Sequence, residues 1–299
     1  MRITFRQLQL FLAVHQYGST AAAAQSISLS QSATSAAINE LESMLNVQLF
    51  DRIGKRLIIN ENGRQLIPQV RQVLDGVRTI EDHFQSNNNH IQLTIHIGAS
   101  TTIGNYLLPR ILGKYMLPHL YPQIEIANSA SIAALVANYE IDFGLIEGPC
   151  HEADLLVEKW FDDELIIVAG LNHCLVKNNP QKKITIKQLS QAKWLLRENS
   201  SGTREAVDQL LIQHLHYLAP AGEFSNSEAI KHATVAGLGI ACLSRYVVAD
   251  LLQSKQLIEL KTPLPKLTRN LYLIQHQKKN LSTSSKNFLD FCKNLKGPL

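Results

Sequence analysis

Residues Ser19–Leu45 read STAAAAQSISLSQSATSAAINELESML, twenty-seven positions without a lysine or arginine. Two readings of this stretch compete. Arg2 and Arg6, then LQLFLAV, then AAAA imitate the charged, apolar and small-residue regions of a secretory leader. Gln7 and Gln9 interrupt that apolar run, however, and His15, Gln16 and Tyr17 separate it from the alanines, so no unbroken apolar core remains. The helical reading has more signals. Thr4 and Gln7 have capping-box spacing, and Phe5, Leu8, Phe11, Leu12 and His15 follow at helical intervals. They predict a first helix from Thr4 to Gln16, stopped by Gly18, where glycine tolerates a left-handed conformation. Thr20 to Ser26 forms a short alanine-rich helix that another helix can approach closely. After the turn ISLS, Ser30 caps a third helix ending near Leu45.

Helix, tight turn, helix is the helix-turn-helix layout. In its third helix Ile38, Leu41 and Leu45 point inward, whereas Gln31, Ser32, Ser35 and Asn39 make a short-chained polar stripe. Beyond it, LFDRIGKRLIIN reads as a β-hairpin, or wing, around Gly54 and Lys55. Asn60 caps a further helix in which Leu66, Val70, Val73 or Leu74, Val77 and Ile80 recur close to a heptad. A lone helix with such a stripe needs a partner, which predicts a homodimer through residues 61–85. Pro68 lies too far in to be a first-turn proline and predicts a kink or a late start.

At 299 residues the chain is long enough for two or three domains. Hydrophobic residues at 45% and charged residues at 18% describe a globular chain and exclude disorder as its main state. The net charge of +4 is too small to argue by itself for a polyanionic partner. Cys150, Cys174, Cys242 and Cys292 form no C-x-x-C pair, so neither a zinc ribbon nor a redox dithiol is encoded, and a reducing cytoplasm fits best. No window approaches the ~20 apolar residues of a membrane helix, and no membrane partner is expected.

SNNNH, residues 86–90, reads as a linker. After it come the strand-like runs IQLTIHIG, QIEIANS, YEIDFGLIEG, DELIIVAG, AKWLLRENS, GEFSNS and LGIACLS, alternating with helical stretches. This is the pattern of an α/β domain with largely parallel sheets, and its length favours two lobes with a cleft between them.

The order of parts resembles the LysR-type transcriptional regulators over the whole length. GSTAAAAQSISLSQSATSAAINELE followed closely by VQLFDRIGKRLIINENG carries the resemblance. Within the family, GASTTIGNYLLP, DFGLIEGPC, LLRENSSGTRE and NSEAIKHATVAGLGIACLSR resemble a YeiE-like and CysL-like branch linked to sulfur and anion metabolism. The resemblance implies a winged helix-turn-helix DNA-binding domain (1–60) and a linker helix with hinge (61–90). It further implies an effector domain (91–299) of two α/β lobes resembling a type 2 periplasmic-binding-protein fold, about 91–162 plus 266–299 and about 163–265. It also implies a homotetramer. Many members carry arginine or lysine midway along the recognition helix, where this chain has Ala36 and Ala37, so no base contact is carried over to those two positions.

Double-stranded promoter DNA can be read without cations on that helix, because cations hold phosphates whereas uncharged polar groups read base edges. Gln31 or Asn39 can take an adenine edge, Ser32 and Ser35 a base or a phosphate, and a methyl of Thr34 or Ala36 can meet a thymine methyl. Arg52, Lys55 and Arg56 on or beside the wing, with Arg2, Arg6 and Arg64 elsewhere in the module, supply the phosphate clamps.

For the effector, polar groups are expected where strands end. Ser100, Thr101 and Thr102 follow one strand and open a helix, and the junction Ser200, Ser201, Gly202 and Thr203 does the same in the second lobe, with Ser201 and Thr203 as its expected contacts. Two helix amino termini facing one cleft favour a small anion, with sulfite or another sulfur oxyanion as the branch-level expectation. Asn226 marks a third strand-to-helix junction, and His232 follows in that helix. Glu147 ends a strand and is expected to mark the pocket rim, to pair with Arg197 or His232, or to bind a ligand's proton or amine. Helix capping is the ordinary job of Ser, Thr and Asn at such places and competes with ligand contact.

Two rivals remain. A solute-binding protein of transport also has two lobes around a cleft, and it predicts export and no role for residues before Ser86. An enzyme would need a constellation such as H-E-x-x-H, G-x-S-x-G or a P-loop, and the sequence carries none of them. No catalytic residue, metal site or cofactor is therefore expected beyond the effector itself.

Overall fold

The computed structural model describes residues 3–54, 56–85, 93–115, 120–177 and 183–295. They fall into two compact units, Met1–Asn89 with Asn138–Glu140, and His90–Ala137 with Ile141–Leu299. Lys55 and the predicted linker at 86–90 lie outside the described residues.

In the first unit α1 (Phe5–Tyr17) begins at the predicted capping box. Gln7 N–H donates to Thr4 Oγ1 at 3.2 Å and Thr4 N–H donates to Gln7 Oε1 at 2.9 Å. Gly18 ends it at φ +67°. Ser19 caps α2 (Thr20–Ser26), and Ser30 caps α3 (Gln31–Leu45), which stops at Asn46 with φ 55°. The wing is an antiparallel hairpin of β1 (Phe50–Ile53) and β2 (Arg56–Ile59). The long helix α4 (Glu61–Gln85) runs through Pro68 in one piece, so the late start does not occur. Asn60 Oδ1 accepts the Gly63 N–H at 3.1 Å.

These elements share a core of Leu10, Phe11, Val14, Ile38, Leu41, Phe50 and Val70, in which the rings of Phe11 and Phe50 lie 5.5 Å apart. Glu42, buried on α3, ties the helix to the wing: its Oε1 accepts the N–H groups of Leu49 at 2.7 Å and Phe50 at 3.3 Å. Glu42→Ala leaves both donors without a partner and should cost about 2–3 kcal/mol in denaturant unfolding. Glu42→Gln keeps an acceptor and should cost less.

The second unit begins with β3 (Leu93–Ser100), a π-helical turn (Ile103–Leu107) and α5 (Leu108–Tyr115). Next come β4 (Leu120–Ala127), α6 (Ser129–Ala137), β5 (Phe143–Glu147) and the long β6 (Leu155–Gly170). The chain then forms α7 (Cys174–Lys177), α8 (Ile186–Gln191), β7 (Lys193–Arg197), α9 (Gly202–Leu215), β8 (Ala219–Phe224) and α10 (Ser227–Val235). It closes with β9 (Ala241–Ser244), α11 (Arg245–Gln253), β10 (Leu257–Glu259), β11 (Leu267–His276) and α12 (Thr283–Asn294).

Its strands make two lobes. In one, β3 pairs in parallel with β4 and β5, with α5 and α12 on one face and α6 on the other. In the other, β7 pairs in parallel with β8 while β6 pairs antiparallel with β9 and β10. The sheets are therefore mixed rather than largely parallel, because β6 and β11 run antiparallel to each other through both lobes. Neither β10 nor β11 was among the predicted strand runs. Phe161 of β6 and Leu271 of β11 pack into the first lobe, whereas Leu165 and Leu267 pack into the second. Each lobe also holds one of the two tryptophans: Trp160 stacks on Phe161 at 4.2 Å, and Trp194 is fully buried in the second lobe.

Candidate functional site

On α3 the polar stripe is real but narrower than expected. Gln31, Ser32 and Asn39 are exposed, together with Ala36, and Ser35 is half-buried. Thr34 has to be withdrawn as a base reader. It is fully buried and its Oγ1 donates to the Ser30 carbonyl at 3.1 Å, because it falls on the same helical face as Ile38 and Leu41. Arg52 and Arg56 are exposed on the two wing strands, while Lys55 and Arg2 lie outside the described residues. Arg6 donates to the Ile27 carbonyl at 2.9 Å, and Arg64 pairs with Glu61 in an exposed ion pair that costs little to break.

In the second unit, six of the eight predicted effector residues gather where the lobes meet. A residue that sequence reasoning missed, Arg269, stands at their centre. It sits on β11 between Leu267 and Leu271, in register with Asp163 of β6, at the point where the apolar cores of the lobes are interrupted. Its guanidinium is buried and bonds the carboxylates of Asp163, at 2.7 Å, and of Glu147. Glu147 also accepts the Thr102 N–H at 2.8 Å and the Thr203 hydroxyl at 2.6 Å. Arg269 donates in turn to Thr203 Oγ1 at 2.8 Å and Thr102 Oγ1 at 3.3 Å.

Glu147 is thus not a rim residue, and neither Arg197 nor His232 is its partner. Burial works against its charge, but Arg269, the Thr203 and Ser100 hydroxyls and the Thr102 N–H outweigh it and hold the carboxyl down to about 2. Asp163 differs: burial pushes it above its usual range despite Arg269 and Ser244. Burial also acts against the charge of Arg269, but its two carboxylates raise it further above its usual value. The signal for this group was legible in part, since Leu267, Arg269, Leu271 and Leu273 alternate along one face of a strand. A charge in the apolar phase of such a strand calls for a buried counter-charge.

Arg197, at the end of β7, is the second buried guanidinium. It donates to Thr101 Oγ1 at 2.8 Å, to Ser227 Oγ at 2.9 Å and by two bonds to Glu198. Ser201 caps α9, accepting the Thr203 N–H at 3.2 Å, and Ser100 Oγ is buried without a well-formed hydrogen bond. Asn226 and His232 stay outside the group. Asn226 is exposed and caps α10 through the Glu228 N–H at 2.7 Å. His232 is 70% exposed, because the inward face of α10 is set by Ser227, Ile230, Lys231 and Thr234.

Beside this network a cavity of about 430 Å³ opens between the two lobes, with Ser129, Cys150, His151, Ser200, Gly202 and Arg204 in its wall. None of the eight predicted effector contacts lines it, although Ser200 and Gly202 of the expected second-lobe junction do. Burial pushes the Cys150 thiol up, which disfavours the thiolate. Among the described residues no group of histidine, cysteine and carboxylate side chains has the arrangement of a metal site, and no helix is long and apolar enough to cross a membrane.

Comparison with known proteins agrees with this architecture. Residues 5–64 match the bacterial regulatory helix-turn-helix protein, lysR family, and residues 88–296 match the LysR substrate binding domain. The chain is 46% identical over 296 residues to the HTH-type transcriptional regulator YeiE of Escherichia coli K12, covering 98% of each chain. A full-length OxyR variant from Pseudomonas aeruginosa has the same fold, with a TM-score of 0.76 at 20% identity, over 99% of this chain and 96% of that one. The regulatory domain of Synechocystis CcmR, solved in complex with 2-PG, gives 0.61 at 26% identity, over 69% of this chain and all of that one. The amino-terminal match assigns a role to the residues that a transport protein would leave idle, and the relatives are regulators rather than enzymes. The chain belongs to the LysR family of helix-turn-helix transcriptional regulators, with an effector-binding domain behind its DNA-binding one.

Proposed function

We propose that this regulator works in the cytoplasm and senses a small anion, sulfite or another sulfur oxyanion, between the two lobes of its second unit. The observation that carries this reading is the buried Arg197, held by the Thr101 and Ser227 hydroxyls, the latter at the amino terminus of α10. A fixed guanidinium, hydroxyl O–H donors and helix-end N–H donors form an environment that favours negative charge. Ser100, Thr101, Thr102, Ser201 and Thr203 remain the proposed effector contacts, through backbone N–H groups as much as through side chains. The sulfur part of the reading rests on resemblance to the YeiE-like branch. The complex of CcmR with 2-PG supports a small ligand in such a domain.

At the promoter, Gln31, Ser32, Ser35 and Asn39 read bases while Arg52, Lys55 and Arg56 hold phosphates. The domain limits expected from the sequence, 1–60, 61–90 and 91–299, are retained. Pairing through residues 61–85 is supported by Val73 and Ile80, exposed at 44% and 61% on α4, and by an apolar groove of about 290 Å³ along α1 and α4. Two such dimers make the proposed homotetramer. The anion favours one arrangement of the lobes, and its leverage on the DNA equals its difference in affinity between arrangements.

Two measurements test the proposal. A thermal-shift screen of sulfite, sulfate and carboxylates should raise the melting temperature of wild type, and Ser201→Ala and Thr203→Ala should weaken the response. No rise with any anion rejects the pocket. In footprinting, Gln31→Ala should lower operator affinity about 10- to 100-fold at unchanged dimer content, the loss of one bidentate base contact. An unchanged footprint removes Gln31 from the reading surface.

A further inference from the structure

The two buried arginines differ in how they are neutralised. Arg269 is bonded to Glu147 and Asp163, whose side chains are 2% and 0% exposed. Displacing either carboxylate would strand a charge inside the protein. Arg197 is also buried, with a side chain 1% exposed, but its charged partner Glu198 is 18% exposed. Glu198 grips the guanidinium with both oxygens: Nε donates to Oε2 at 2.7 Å and Nη2 to Oε1 at 2.8 Å. The remaining nitrogen, Nη1, is fixed by the Thr101 and Ser227 hydroxyls, so the fork keeps its aim whether or not Glu198 is there.

We propose that Arg197 is the anchoring cation for the effector and that Glu198 is an internal, exchangeable stand-in for it. On this proposal, which rests on the reading of the interlobe site as an anion sensor, the ligand carries a carboxylate or a comparable oxyanion group that takes over the two-pronged bond.

Three features support the exchange. A group with two oxygens on one centre matches the Nε and Nη2 edge of a guanidinium in geometry as well as charge, which a single-point anion or an amine does not. Glu198 is followed directly by Asn199 and Ser200, both in the wall of the 430 Å³ cavity, so the stand-in is next to open space of ligand size. Once released at the partly exposed rim, its carboxylate can be rehydrated, which Glu147 and Asp163 cannot be without opening the lobes.

The exchange also gives the ligand something to change. Asn128, at the amino end of α6 in the first lobe, favours the charge of Glu198 and donates to Ser200 Oγ of the second lobe at 3.0 Å. Ala130 N–H reaches the Ser200 carbonyl at 3.5 Å in the same place. Releasing Glu198 removes a negative group from this contact between the lobes, and that difference is what a ligand needs in order to shift their arrangement.

The test uses full-length protein, with sodium sulfite and sodium acetate as probes at ionic strength held constant with sodium chloride. Thermal-shift titrations are run on wild type, Glu198→Gln and Arg197→Lys. Glu198→Gln keeps the size of the side chain while removing the competing charge, and it should lower the half-saturating anion concentration at least tenfold. A response that appears only in Glu198→Gln supports the stand-in equally. Arg197→Lys, which cannot make the two-pronged bond, should lose the response. If wild type responds and Glu198→Gln titrates at the same concentrations, the stand-in is rejected while the anion site stands. If neither protein responds to either probe, the anion reading falls and takes the stand-in with it. Should Arg197→Lys not fold, the comparison of wild type with Glu198→Gln decides alone.

Discussion

Gly202→Ala should lower the stability of the second unit by about 3–5 kcal/mol, a drop of roughly 10 °C or more in melting temperature for a unit of this size. The added Cβ would meet the Glu147 carbonyl group at less than van der Waals distance, with its carbon at 2.6 Å and Ser129 Oγ at 2.7 Å. The nearest obstacles are backbone atoms, which cannot rotate away. Glu147 is held by β5, and the first turn of α9 is held by Ser201 and by the Thr203 bonds. The lobes must then part at this point, or the strand must bend. Gly113 provides the control. It lies in α5 with nothing within 4 Å of its would-be Cβ, so Gly113→Ala should be neutral or stabilise by up to ~1 kcal/mol through helix propensity. Equal melting temperatures for the two variants would show that the approach of α9 to β5 is not a fixed contact.

Arg269→Met should be comparably severe, about 3–5 kcal/mol at neutral pH, because it leaves two carboxylates buried without their cation. Its pH dependence is the sharper test. In wild type Glu147 is held at about 2 against an ordinary 4.5, so its contribution is complete above 4.5 and is lost as pH falls towards 2. Asp163, pushed above its ordinary 3.8, acts in the opposite sense: its contribution is present below 3.8 and is lost as pH rises through its raised value. Removing Arg269 puts Glu147 in the same position as Asp163, with burial raising both. The variant should therefore gain stability relative to wild type as pH is lowered from 7 towards 4, read from melting temperatures of the two proteins side by side. A gap between them that stays constant over that range would mean that the carboxylates are not buried as charges.

The amino-terminal helices were legible because their signals are local. A capping box at Thr4 and Gln7, a glycine at 18 and a cap at Ser30 each act within one turn, and the helices begin and end there. Thr34 was misread because a helical stripe has edges. It lies one position from Ser35 yet turns towards Ile38, and a list of polar residues does not show that. The second unit was legible in its alternation of elements and in the junctions that carry its hydroxyls. The partners of Arg269 were not, since they stand 106 and 122 positions away in the chain and are brought to it only by the pairing of β6, β11 and β5. His232 failed for the opposite reason: it is near Asn226 in sequence, but five positions past Ser227 it faces away from the buried side of α10.

The placement of one indole in each half of the effector domain gives the molecule two indole fluorophores with different surroundings. Trp194 has no access to water, whereas Trp160 is half-buried against a neighbouring ring and gives its N–H to the Cys292 carbonyl at 2.8 Å. Replacing either by phenylalanine leaves a single indole, so changes in indole emission on ligand addition can be assigned to one half or the other without any attached dye.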